Sequence, residues 1–173
     1  MSRWHPVTGS LLMVAVWLTC CSPDPVVEVT HLDVAAGHAC ALDGMLIASH
    51  DGPKAQLLRE DGERAFYCDA TEAFGEWLDP VRRRRVLGLW FQTVDDGPWE
   101  AHADGWQPAN DLFFVVGSRR MGAMGPTLAP FRTETAAADF MQQYGGAIHR
   151  FDEIDVAVVK QVRRQGIDHL TGN

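Results

Sequence analysis

From residue 37 onward the hydrophobic and polar positions repeat one pattern twice: short apolar runs, an amphipathic stretch, then a closing apolar run. In the first pass Met45–Ser49 and Lys54–Arg59 read as strands around the turn at Asp51-Gly52-Pro53, and Arg64–Cys68 adds another. Ala73, Phe74, Trp77 and Leu78 then form one helical stripe, which starts at Asp69 or Thr71 and stops at Pro80. Val86–Val94, rich in Val, Leu, Trp and Phe, closes the pass as a strand. The second pass follows a loop marked by Asp95-Asp96-Gly97-Pro98 and Asp104-Gly105, with Trp99 and Trp106 expected to fold back on the core. Leu112–Gly117 and Thr127–Arg132 read as its strands. Thr133 or Thr135 caps a helix through Ala136, Ala137, Phe140, Met141 and Tyr144, Gly145-Gly146 ends it, and Ala147–Phe151 closes the unit. The pattern predicts an α+β chain of two successive β-β-α-β units, over residues 37–95 and 96–155, with an amphipathic C-terminal tail over 156–173.

The N-terminus reads differently. Residues 11–18 are continuously apolar, too short for a bilayer core that needs about 20 residues, but suited to the central region of an export signal. Leu18-Thr19-Cys20-Cys21-Ser22 resembles a bacterial lipobox, with Cys21 as the lipidated first residue of the mature chain. Cys20 as acceptor would place Trp17 where Leu is preferred. The reading is therefore a lipoprotein signal peptide over residues 1–20 and a tether over 21–36, where Pro23 and Pro25 stand in Val-rich sequence. Ser22 after the lipidated cysteine favours the outer membrane over the inner one.

Charge narrows the partners. With 15 Lys and Arg against 23 Asp and Glu, the chain carries a net charge of −8, which repels phosphates and sets nucleic acid aside. The one basic run, Arg82-Arg83-Arg84-Arg85, reads as a solvated connection between helix and strand.

Of the four cysteines, removal of Cys20 and lipidation of Cys21 leave Cys40 and Cys68. In an exported protein the pair is a candidate disulfide. Their neighbours open another chemistry. His38-Ala39-Cys40 and Gly44-Met45 stand at the entrance to the first unit, and Met121-Gly122-Ala123-Met124-Gly125 stands in the corresponding connection of the second. A thiolate and thioethers in glycine-flanked loops are soft donors that select Cu(I). Zinc fits less well, since a structural zinc site needs four Cys or His ligands at close spacing. Each candidate keeps a structural alternative: Cys40 as a buried or disulfide-bonded residue, Met124 and Met121 as loop packing, Met45 as an inward-facing strand residue, and Cys68 as a small hydrophobe in Phe66-Tyr67-Cys68. His38, His50 and His149 are equally readable as surface residues or ligands.

With these residues in view, the chain resembles the accessory lipoproteins of nitrous oxide reductase, the NosL family. Cys40-Ala41-Leu42-Asp43-Gly44-Met45 resembles the family's Cys-x-x-Cys/Asp-Gly-Met element, and Gly52–Gln56 and Phe66–Asp69 resemble the next two. Val116-Gly117-Ser118 with Met124–Thr127, then Tyr144-Gly145-Gly146 with Phe151–Ile154, continue the series in order. The resemblance implies a lipid-anchored periplasmic chaperone that delivers Cu(I) for the copper-sulfide centre of nitrous oxide reductase, with the apo-enzyme and its membrane-associated maturation transporter as partners. It implies Cys40 and Met124 as Cu(I) ligands. Asp43 stands where some members carry a second cysteine, so a two-thiol site within that loop is excluded, and Met45, His38 and water remain as third ligands. The alternative from another class is a thiol enzyme resembling an organomercurial lyase, using Cys40, Cys68 and Asp69.

Overall fold

A computed structural model describes residues 27–95, 98–100 and 105–171, with side chains as far as Gly166. The lipobox, Cys21 and the signal peptide lie outside the described residues. The elements are β1 (Ala55–Arg59), β2 (Arg64–Tyr67), α1 (Ala70–Trp77), β3 (Val86–Gln92), β4 (Trp106–Pro108), β5 (Phe113–Gly122), β6 (Gly125–Phe131), α2 (Glu134–Tyr144), β7 (Ala147–Arg150) and α3 (Val156–Thr171).

The chain is α+β, and its two sheets share a plan. The first has strand order β2-β1-β3-β4 and the second β6-β5-β7. In each, the first strand of a β-β-α-β unit is central and pairs antiparallel with the second on one side and with the third on the other. Local chemistry places the helices between the second and third strands. Asp69 caps α1 by accepting from the Thr71 amide, and Thr133 caps α2 by accepting from the Ala136 amide. Gly145, at φ +77°, ends α2 with a backbone that other residues resist.

The two units bury one common core. Phe74 of α1 packs within 5.1 to 5.6 Å, ring to ring, of Phe91 from β3, Phe114 from β5 and Phe151 beyond β7. Leu57, Leu112, Leu128, Val159 and Val162 complete the same cluster. Such contacts between distant segments make one folding unit of both repeats.

Three details depart from the sequence reading. Met45–Ser49 is not a strand: Leu46 makes a single bridge to Ala39, and Ile47–Ser49 forms a short 3-10 turn. Ile47, whose apolarity gave the strand pattern, is instead buried beside Cys40 and Cys68. Trp106–Pro108, although beyond residue 96, extends the first sheet by pairing with β3. The C-terminal tail is a 16-residue helix whose Val159 and Val162 enter the core. Trp99 and Trp106 are both buried, as their position between the units led us to expect. The arginine run forms a short turn over Arg82–Arg85, where Arg82 pairs with Glu76, Arg85 pairs with Asp61, and Arg83 lies over the Trp77 ring.

Candidate metal centre

The segment from His38 to Met45 folds back on itself. The Cys40 amide donates to the Met45 carbonyl at 2.8 Å, and the Gly44 amide donates to the Cys40 carbonyl at 2.9 Å. Gly44 turns the chain at φ +77°, and the Met45 amide donates to Asp43 Oδ1 at 2.9 Å. This closed loop docks on the end of β2. The Ala41 amide donates to the Phe66 carbonyl at 2.7 Å, and the His38 ring stacks on the Phe66 ring at 4.2 Å.

Docking lays Cys40 beside Cys68, the residue that follows β2. Both are free thiols, 4% and 0% exposed, in a small apolar cluster with Ile47 and Phe66. At the centre of this cluster stands a carboxylate. The thiols of Cys40 and Cys68 each donate to Glu72 Oε2, at 3.3 Å in both cases. Glu72 lies in the first turn of α1 and is itself buried, and its Oε1 has no hydrogen-bond partner among the described residues. Together Cys40, Asp43, Cys68 and Glu72 bring one potential ligand atom each within 4.8 Å of one another.

The electrostatics keep the thiols protonated in this state. Burial pushes the Cys40 thiol up, partly offset by nearby backbone amides. Cys68 is pushed up as well, first by burial and then by the negative charge of Glu72. An S–H group donating to a carboxylate is the arrangement both hydrogen bonds require.

Met124 reaches the same region from the second unit. Gly122 pairs with Gly125 across the β5–β6 hairpin, leaving Ala123 and Met124 as its two-residue tip, with Gly125 at φ +105°. Ala123 packs against the thiol cluster. Met124 is 53% exposed and lines a groove of about 840 Å³ together with Leu42, Met121 and Glu72. The hairpin is fixed from below by Asp69, whose Oδ1 accepts from the Thr71 amide and from Thr127 Oγ1, each at 2.8 Å. A Cβ built on Gly122 would come within 2.1 Å of Asp69 Oδ2, so only glycine allows this approach.

The structure therefore joins Cys40 to Glu72, packs Ala123 of the hairpin on the thiol cluster, and sets Met124 and Glu72 in one groove. His38 is drawn aside: its Nδ1 accepts from the Ala35 amide at 3.1 Å while its ring is stacked. Met45 is half-buried and tied to Cys40 through its backbone. Asp69 makes no hydrogen bond to either thiol among the described residues; its Oδ1 accepts from the Thr71 amide and from Thr127 Oγ1. Sequence reasoning missed Glu72. Asp69-x-x-Glu72 has the spacing of a helix capping box, which predicts a carboxylate turned back to its own helix end. The signal that could have found it is the same residue read from the other direction: Cys68 and Glu72 stand four apart at a helix start, a spacing that brings their side chains together.

Comparison with known proteins gives a consistent set of relatives. The NosL family model matches residues 31–159. The chain is 35% identical over 168 residues to the copper-binding lipoprotein NosL of Stutzerimonas stutzeri, covering 93% of this chain and 87% of that protein. It is 29% identical over 150 residues to the copper-binding lipoprotein NosL of Achromobacter cycloclastes, covering 82% and 76%. Among solved structures, the copper chaperone NosL from Shewanella denitrificans superposes with a TM-score of 0.69 at 33% identity, covering 77% of this chain and 99% of that one. These relatives are named as copper-binding lipoproteins and a copper chaperone.

Proposed function

The chain belongs to the NosL family, and on that premise we propose that it is a lipid-anchored Cu(I) chaperone of the periplasm, supplying copper for the copper-sulfide centre of nitrous oxide reductase. What supports the reading is that Ala123, in the Met124 hairpin, packs against the cluster holding the Cys40 thiol, while Met124 shares a groove with Glu72. Copper here is cargo. A thiolate and a thioether are soft donors suited to Cu(I), and they arrive from separate loops with opposite exposure. Cys40, buried and anchored through its backbone, is the retaining ligand. Met124, on an exposed hairpin tip, is the ligand a recipient displaces first.

Binding requires the Cys40 proton to leave, because the metal takes the thiolate. Glu72 Oε2, already accepting that hydrogen bond, is the atom placed to receive it. The apolar wall of Ile47 and Phe66 keeps water from competing for the metal. Leu42 at 62% exposed and Leu46 at 49% present an apolar rim beside the loop, on which an apo-enzyme or a maturation transporter would dock. Relatives named as lipoproteins support Cys21 as the lipid attachment site, which confines the domain to a membrane facing the periplasm, the outer one favoured by Ser22.

The test is maturation in cells. A strain carrying Cys40→Ser in place of the wild-type chain should yield nitrous oxide reductase depleted of copper at its copper-sulfide centre. Normal copper content in that strain would exclude the proposed role.

A further inference from the structure

We propose that Cys68 is a second Cu(I) ligand, so that copper occupies two neighbouring positions that share Cys40: an inner one closed by Cys68 and an outer one closed by Met124. The inference rests on the copper reading above and names a ligand that reading leaves open.

Three observations carry it. First, the two sulfurs hydrogen-bond to the same oxygen, and the ligand atoms of the cluster lie within 4.8 Å of one another. Two sulfurs bound to one ion at about 2.3 Å each lie no more than about 4.6 Å apart, so closing on an ion takes little movement. Second, Glu72 is only 7% exposed and its Oε1 has no partner among the described residues, a costly placement for a carboxylate among apolar groups. If Cys40 and Cys68 were there only to fill space, a pocket of small hydrophobes would hold together better without a buried carboxylate between them. Third, His38 is committed elsewhere, through its ring stacked on Phe66 and its bonded Nδ1.

Exposure divides the work between the positions. Cys68 is fully buried and Met124 is half in solvent, so a copper ion moving from the inner to the outer position exchanges one sulfur while Cys40 stays bound. Copper remains Cu(I) throughout. Each thiol that joins the metal gives up its proton to the Glu72 carboxylate and then to groove water, and Cys68 recovers a proton when copper moves outward.

The experiment uses the reduced full-length chain, titrated with Cu(I) against a chromophoric Cu(I) chelator, with sulfur neighbours counted by copper X-ray absorption. Cys68→Ala should still take one Cu(I), with affinity lower by about tenfold or more and with faster release to the chelator. Met124→Ala, a change at an exposed position that leaves the core intact, should keep two sulfur neighbours on copper. This second variant decides the matter if Cys68→Ala does not fold. Wild-type affinity and release in Cys68→Ala, or a single sulfur neighbour in Met124→Ala, would overturn the inner position while leaving the chaperone reading standing. Failure of the wild-type chain to bind Cu(I) at all would overturn both.

Discussion

Thr127 donates a 2.8 Å hydrogen bond to Asp69, and through it β6 of the second unit is tied to the helix cap of the first. The bond is buried, and it holds the strand that leaves the Met124 hairpin against the helix that carries Glu72. Thr127→Val keeps the shape and removes the donor. It should cost about 1–3 kcal/mol, the range for stranding a buried polar partner. At about 2–4 °C per kcal/mol for a chain of this size, thermal unfolding followed by circular dichroism should show a drop of several degrees. An unchanged melting temperature would mean the two units do not depend on this link.

Gly122 offers a sharper test of how the hairpin is seated. Because an added Cβ would meet Asp69 Oδ2 at 2.1 Å, Gly122→Ala must push the hairpin away from α1. Overpacking of this kind costs about 1–3 kcal/mol. The displaced hairpin should also lower Cu(I) affinity through Met124, whereas Gly62→Ala, where a Cβ meets nothing within 4 Å but the backbone stands at φ +81°, should cost stability and leave affinity unchanged. Equal copper affinity in both variants would separate the hairpin from the site.

Protons compete with copper. Burial holds the Cys40 thiol above its ordinary value, so at neutral pH the apo protein carries the S–H form. Copper binding expels that proton, and affinity therefore rises with pH throughout the range below the raised thiol value. The expected change is about tenfold per pH unit for each proton released. Conditional Cu(I) affinities measured between about pH 6 and pH 8 should follow this slope. A flat profile would mean that copper does not bind through a protonated thiol.

The sequence made the helices and most strands legible because local chemistry decides them. Thr133 and Gly145-Gly146 bound α2, and the continuous apolar run Leu112–Val116 marks β5 before any contact is considered. Met45–Ser49 failed because Ile47 is buried by the thiol cluster rather than by a sheet, and apolarity alone does not distinguish the two. β4, three residues ending in Pro108, is too short to announce itself. Of the groups that the structure gathers, Cys40 was legible as a candidate donor, while Cys68 read as a small hydrophobe and Glu72 was not legible. Cys40 and Met124 stand out as soft donors in glycine-flanked loops, but Glu72 looks like an ordinary first-turn acid of α1 until the Cys40 loop docks on Phe66. That convergence joins residues about 30 apart, and no local pattern encodes it.

The central claim is that one Cu(I) ion is held through Cys40, and the most direct measurement is a Cu(I) titration of the reduced chain and its Cys40→Ser variant against a chromophoric chelator. The account predicts one Cu(I) per wild-type chain and a loss of about a hundredfold or more in affinity for Cys40→Ser, with the variant still folded by circular dichroism. Stoichiometric Cu(I) binding of undiminished affinity in Cys40→Ser would contradict it.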